Sequence, residues 1–224
     1  MSNIFTDAAK DLFVFLSALF PIVDPLGGSP IFLTMTKNYS RATRRELSLR
    51  IAVNSFFLLV GSYFIGTHIL SFFGISLPVV QVGGGLVVIS AGWTLLKQGA
   101  DDDQKSAKKN IHPKDPFQNA FYPLTLPLTV GPGSISVAIA VGANVPHHQG
   151  INFVSIFVAL IGSILLAISI YLCYGFSDRL GHALGPTGMT VIMQLASFLL
   201  LCIGVQILWN GASALLRSLS TPLH

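Results

Sequence analysis

Long, nearly continuous runs of apolar residues alternate along this chain with short polar segments. Six of the runs, near residues 8–36, 47–70, 77–97, 117–144, 152–176 and 189–215, are long enough to cross a hydrocarbon layer of about 30 Å, which takes roughly 20 helical residues. Backbone amides and carbonyls find no partners in lipid, so each run is predicted to be a helix and the chain an all-α membrane protein. The polar segments then sort the helix ends. Eleven of the thirteen Lys and Arg residues follow the first, third and fifth runs: Lys37, Arg41, Arg44, Arg45 and Arg50, then Lys97, Lys105, Lys108, Lys109 and Lys114, then Arg179. Only Lys10 and Arg217 fall on the other side, so the positive-inside bias predicts those three loops in the cytoplasm and both termini outside. The third loop, near 98–116, carries Asp101 to Asp103 among lysines and prolines and reads as a solvated linker. The chain thus divides into a first three-helix unit over 1–99, a charged cytoplasmic linker over 100–116 and a second three-helix unit over 117–224.

The second unit repeats the first. Phe20-Pro21-Ile22-Val23-Asp24-Pro25-Leu26-Gly27-Gly28-Ser29-Pro30 aligns with Tyr122-Pro123-Leu124-Thr125-Leu126-Pro127-Leu128-Thr129-Val130-Gly131-Pro132, matching three prolines and one leucine at one offset. Val60-Gly61-Ser62 aligns with Ile161-Gly162-Ser163 at nearly the same offset. Gly85, Gly92 and Gly99 in the third span share a seven-residue spacing with Ser197, Gly204 and Gly211 in the sixth, which keeps each set on one helix face. Three spans is an odd number, so the second unit enters the membrane from the opposite side. The predicted architecture is six transmembrane helices as two inverted-topology repeats, with the first and fourth helices broken.

Composition removes the main competing classes. With 52% hydrophobic and 10% charged residues and a mean hydropathy of +0.69, a water-soluble core could not hide the apolar surface. The net charge of +4 is spread in short clusters between spans, not gathered as a nucleic-acid-binding face. Cys173 and Cys202 both lie inside apolar runs, which leaves no disulfide framework and no zinc-ligand spacing. Asp7 and Asp11 flank Lys10 where a secretory signal would be basic, and no cleavage is expected there. Gly83-Gly84-Gly85 lacks the Lys-Ser/Thr ending of a phosphate loop, and no cofactor is expected. It reads as a close-packing face.

The candidate chemistry lies at the two interruptions. Proline inside a helix removes a donor and clashes with the preceding turn, so Pro25 to Pro30 and Pro127 to Pro132 are predicted to leave unpaired backbone groups at membrane depth. Ser29 before Pro30 reads as an N-cap followed by proline at the first helical position, and Gly131 before Pro132 repeats the arrangement. Amides at two such half-helix starts suit a carboxylate, and the carbonyls left behind suit an ammonium or a cation. Asp24 is the one acidic residue deep within an apolar span, which makes it the candidate for substrate ammonium or for ion coupling. Its counterpart Leu126 makes the two units chemically unequal. The candidate substrate-binding set is Asp24, Pro25, Gly27, Gly28, Ser29 and Pro30 from the first interruption, with Thr125, Thr129, Gly131, Pro132, Gly133 and Ser134 from the second. Asn54, Gln81, Gln194, Gln206 and Asn210 are expected to bond between helices. Trp93 and Trp209 are expected as interfacial belt residues, with His68, His147 and His148 at outer ends. Simple kinked helices are the competing reading of either motif alone, and duplication weighs against it.

These residues resemble a known family. Asp24-Pro25-Leu26-Gly27-Gly28-Ser29-Pro30, the stretch from Gly74-Ile75-Ser76-Leu77-Pro78 to Gly83-Gly84-Gly85, the run Pro123 to Pro127 to Gly131-Pro132-Gly133, and Gly204-Val205-Gln206 with Asn210-Gly211 look like the MarC family. It is also called the six-span neutral amino acid transporter family. The resemblance implies a multi-pass inner-membrane protein, with transport of small neutral amino acids of the glycine and alanine type inferred for some members; coupling to H+ or Na+ is a separate expectation, with neither the ion nor the direction given by the sequence. The family's "multiple antibiotic resistance" name is weak support for drug export. Many members carry Asn where this chain has Asp24, so a neutral amide often suffices there. Expected partners are a small neutral amino acid, a coupling ion and the lipid bilayer, with no nucleic acid and with room for a homo-oligomer. A channel or pore could use the same broken helices, and an exporter of other small metabolites the same architecture. An intramembrane enzyme would need a mid-membrane cluster of His, Asp, Glu or Cys, which the spans do not contain.

Overall fold

The computed structural model describes residues 2–98, 116–143 and 153–220. Residues 100–115 of the expected linker, Gly99, His147 and His148 lie outside the described residues. Those described are helical, with no strand among them. The helices are α1 (Ser2–Val23), α2 (Pro25–Met35), α3 (Arg41–Phe72), α4 (Leu77–Gln98), α5 (Pro132–Ala143), α6 (Phe153–Gly175) and α7 (Ser177–Ser220). Before α5 the chain makes a 3-10 turn over Pro116–Ala120 and a wide, π-type coil over Phe121–Thr129.

Five stretches have the length and apolarity of a membrane span, and the pair Phe117–Thr129 and Pro132–Ala143, bent by 68°, makes a sixth if counted as one. The expected boundaries shift where a cap overrules hydropathy. Ser40 accepts a hydrogen bond from the Thr43 amide at 3.1 Å and starts α3 there. Arg41, Arg44, Arg45 and Arg50 therefore stand on the first turns of a helix and not in a loop. Likewise Arg179 lies within α7, on a short arm that Gly185, at φ +67°, sets off from the apolar stretch Thr187–Leu219. Glycine accepts that left-handed backbone without the Cβ penalty.

The longest seam joins α4 to α7, and small residues make it. A Cβ on Gly85 would lie 2.6 Å from the Leu208 amide nitrogen and 2.8 Å from the Gly204 carbonyl oxygen. Gly92 faces Leu201 and the Ser197 carbonyl in the same way, at 2.8 and 3.0 Å, and Gly211 faces the Pro78 carbonyl at 2.6 Å. Each step of seven residues forward on α4 is thus a step of seven back on α7, which makes the two helices antiparallel in register. Backbones in lipid gain little from burying apolar side chains against each other, so this close approach supplies the dispersion contact that holds them. Gly84 points elsewhere, against Ser136 of α5, while Gly83 is exposed with nothing near it and takes no part in the packing face expected of it.

Elsewhere α1 packs on α6, α3 on α6 and α5, α4 on α5, and α2 on α6 and α7. One buried cluster centres on Phe15, Leu19, Leu59, Tyr63 and Leu166, the other on Phe32, Leu47, Ile51, Leu124 and Tyr174. Both draw on residues before and after the linker. Phe13, Phe57 and Phe72 are at least 66% exposed, as suits side chains turned to lipid. Trp93 and Trp209 are exposed too.

Gly85→Ala is expected to destabilise the detergent-solubilised protein by about 1–3 kcal/mol through overpacking against α7. Gly61→Ala, where a Cβ meets nothing within 4 Å, is expected to be neutral or to stabilise by up to about 1 kcal/mol. Unfolding midpoints in an SDS titration compare the two. Equal effects would mean that α4 and α7 do not meet along this stripe.

Candidate functional site

The first interruption is narrow. Asp24 sits at φ +41° and ψ +65°, left-handed space that aspartate enters more readily than most residues. Its Oδ1 accepts from the Gly27 amide at 3.0 Å, its carbonyl accepts from the Gly28 amide at 3.0 Å, and its own amide donates to the Phe20 carbonyl at 2.9 Å. Pro25, the first residue of α2, needs no donor there. Hydrogen bonding therefore passes through the break with one residue out of helix. The new half-helix begins at Pro25 and not at Pro30, which corrects the capping role expected of Ser29. Ser29 lies buried within α2 and donates instead to the Cys173 carbonyl of α6 at 3.1 Å, while Pro30 is an interior residue of α2. Aspartate before proline outcompetes serine before proline because it can cap and turn left-handed at once.

The second interruption is wide. Tyr122 and Leu126, the residues before Pro123 and Pro127, are extended, as proline imposes on its predecessor. Both X-Pro bonds are cis. Threonine side chains also bond back onto carbonyls of the coil: Thr125 Oγ1 donates to the Ala120 carbonyl at 2.6 Å and Thr129 Oγ1 to the Leu124 carbonyl at 2.7 Å. Helix α5 then starts at Pro132, as the Gly131-Pro132 pair predicts, with the Ile135 amide and the Ser134 hydroxyl both donating to the Gly131 carbonyl at 3.1 and 3.0 Å. Gly131 has no side chain with which to cap the Gly133 and Ser134 amides.

Tyr174 of α6 joins the two. It is fully buried, stacked on Phe32 at 4.8 Å between ring centroids and 15° between planes. Its hydroxyl lies 3.0 Å from Thr129 Oγ1. Because Thr129 spends its proton on Leu124, the phenol donates and the threonine accepts. On its other side the same hydroxyl lies where a Cβ of Gly28 would be. One phenol thus fills the gap between α2 and the second interruption.

Around Tyr174 the fold gathers Gly28 and Thr129, with Asp24 one helical turn before Gly28 and Gly131 two residues beyond Thr129. The remaining candidates face other ways. Thr125 is buried and accepts from Asn54 Nδ2 of α3 at 3.4 Å. Gly27 packs against Ala196 of α7 and Gly133 against Val88 of α4, and Pro132 is exposed. Pro25 and Ser134 are buried and Asp24 and Gly131 half-buried. Asn54 thus bonds between elements as expected, whereas Gln206 bonds to Asn210 along α7 itself at 2.8 Å. His68 is exposed. Sequence reasoning did not single out Tyr174 or Ala196. The signal for Tyr174 was a phenol inside an otherwise apolar span, which needs a hydrogen-bond partner; the methyl of Ala196 offers none.

Chemically, the first interruption presents a carboxylate. The second presents a glycine-led helix start whose amide end carries partial positive charge.

Residues 9–216 match the MarC family model, described as MarC family integral membrane protein. Relatives described as inner membrane protein MarC include one from Citrobacter koseri, 31% identical over 220 residues, 95% of this chain and 98% of the relative. Others from Salmonella typhimurium and Escherichia coli (strain SMS-3-5 / SECEC) are each 30% identical over the same shares of both chains. No solved structure matches.

If Gly28 and Tyr174 share their space as described, the damage from Gly28→Ala depends on the phenol hydroxyl. Removing it leaves the ring Cζ, 3.3 Å from the added Cβ. A double-mutant cycle of Gly28→Ala with Tyr174→Phe, read by unfolding free energy, is expected to show a favourable coupling of about 0.5–3 kcal/mol. Strict additivity would separate the two residues.

Proposed function

Since the chain belongs to the MarC family of integral membrane proteins, we propose that it is a secondary transporter of small neutral amino acids, of the glycine and alanine type, in the cytoplasmic (inner) membrane. The observation that carries this reading is the meeting of two broken spans of opposite chemical character around Tyr174, with the Asp24 carboxylate on one side and the uncapped start of α5 on the other. A zwitterion complements both, its ammonium toward Asp24 and its carboxylate toward the Gly133 and Ser134 amides. The half-helix start at Pro25 is taken by Asp24 itself, so the carboxylate site is assigned to the second interruption alone. The relatives' printed name supports the inner-membrane location. H+ or Na+ is the coupling ion of this reading, with loops one, three and five in the cytoplasm.

The inverted-repeat part of the proposal draws support from the contacts. Gly85 meets Gly204, the repeat mate of Gly92, while Gly92 meets Ser197, the repeat mate of Gly85. Such exchange is the signature of a two-fold contact. The remaining pairs follow it: α1 with α6 and the Phe121–Thr129 coil with α3, α2 with α6 and α5 with α3, α2 with α7 and α5 with α4.

Counterflow of radiolabelled alanine into proteoliposomes, with and without imposed proton and sodium gradients, tests the reading. Asp24→Asn keeps cap and acceptor and is expected to retain exchange. Asp24→Ala loses both and is expected to cut it about tenfold or more, a factor of ten corresponding to about 1.4 kcal/mol. Gly131→Leu, whose Cβ would lie 3.1 Å from the Pro127 carbonyl oxygen, is expected to do likewise. Exchange unchanged by Asp24→Ala and Gly131→Leu would remove the site assignment, and conductance without saturation would make the protein a channel.

A further inference from the structure

Between α2 and α7 lies a cavity of about 540 Å³, within the range of small-molecule sites. Pro30, Leu33 and Thr34 line it from α2, with His182, Met189 and Met193 from α7. The helices run antiparallel past it, since Leu33 lies against Gly181 and Gly27 against Ala196. Its outer end is therefore at Asp178 and His182, where Asp178 pairs with Arg44 at 2.7 Å and Arg41 at 3.8 Å. Its inner end is lined by Pro30 and Met193, one helical turn short of Gly27 and Ala196. At Gly27 the place of the missing Cβ is filled from one side by Asp24 Oδ2 and from the other by the Ala196 methyl. Two of the smallest residues, Gly27 and Ala196, stand between the cavity and the carboxylate at the break.

The opposite seam is shut. Between α4 and α5, the Cβ position of Gly133 is occupied by a Val88 methyl and that of Gly84 by the Ser136 hydroxyl. This seam runs from the Gly131 break toward the Leu77 end of α4. The cavity runs toward the Ser177 end of α7. Because Pro78 of α4 lies beside Gly211 near the far end of α7, these directions lead to opposite faces of the molecule.

We propose that the α2–α7 cavity is the open way to Asp24, with Ala196 on Gly27 as its inner constriction, and that the α4–α5 seam is the closed way from the other face. This rests on the transporter reading, and makes the structure a one-side-open state of an alternating-access path. Gly185, left-handed between the outer arm of α7 and its apolar stretch, is where the arm pivots. The Asp178 ion pairs tie that arm to α3.

The test uses cysteines placed one at a time in a full-length Cys173→Ala, Cys202→Ala background, reconstituted into proteoliposomes and treated from either side with a charged, membrane-impermeant methanethiosulfonate. Lys37→Cys marks the face beside Arg41 and Arg44. Leu33→Cys, Met189→Cys and Met193→Cys are expected to react from that face alone, with Ala196→Cys, Val88→Cys and Ser136→Cys slower by about tenfold or more, a barrier of about 1.4 kcal/mol. Modification of Met193→Cys after folding is expected to stop alanine counterflow. Unreactive cavity positions, or an Ala196→Cys as reactive as Met193→Cys, would overturn the path. So would alanine exchange that survives complete modification of Met193→Cys, and that result would leave the amino acid reading standing. The expected labelling pattern in a protein that exchanges no alanine would support the path and remove the substrate.

Discussion

Every polar backbone group at membrane depth must find a partner inside the protein, and this chain breaks two of its spans under that constraint. The two breaks meet it by different means. At the first, one residue does everything: Asp24 turns the chain left-handed, caps α2 with its side chain and keeps both neighbouring helical turns bonded through its own amide and carbonyl. The second has Leu126 at that place, which can neither cap nor enter left-handed space cheaply. Thr125 and Thr129 bond back onto carbonyls of its coil, the coil widens, and the helix that follows leaves at 68°. The spliced span thus carries a polar residue before its proline, and the bent one an apolar residue.

Both breaks need something rigid to be positioned against. The α4–α7 seam offers this, because a backbone-to-backbone approach at Gly85, Gly92 and Gly211 leaves no side chain that can change rotamer. Contacts nearest the two breaks are of another kind, although Gly142 farther along α5 again meets main chain, at Tyr63. Gly28 on Tyr174, Gly27 on Ala196 and Gly133 on Val88 each set a glycine against a side chain. Such contacts separate and re-form at less cost than interlocked backbones. Near the breaks glycine thus meets side chain, and along the α4–α7 seam it meets main chain.

The spans and the two interruptions were legible in the sequence because they rest on hydropathy and proline, both local signals. What was not legible depended on competition or on distance. Ser29-Pro30 and Asp24-Pro25 are both acceptable helix starts, and the choice between them turns on the left-handed backbone that only Asp24 tolerates, which hydropathy does not record. The early start of α3 at Arg41 turned on the Ser40 cap, and arginines on its first turns read as loop. Tyr174 owes its place to Thr129 and Gly28, far away in sequence on either side of the linker, and nothing near it in the chain announces those neighbours. Gly83 shows the converse error. Three consecutive glycines cannot share one helix face, and the structure uses Gly84 against α5 and Gly85 against α7 while leaving Gly83 to lipid.

The inequality of the halves has an energetic consequence for the proposed path. In a two-fold machine with identical halves, the state open to one face and the state open to the other would have equal free energy. A resting preference would then need a gradient or a ligand to create it. Here the α2 side holds a capped, nearly spliced span beside a cavity, and the α5 side a bent one closed on Val88 and Ser136. Since a few kcal/mol suffices to make one of two states dominant, a difference as small as one cap and its altered bend is of the right size to set the resting orientation. Asp24 would then act twice, as the polar group that meets the substrate and as the local bond that favours the face from which the substrate is met.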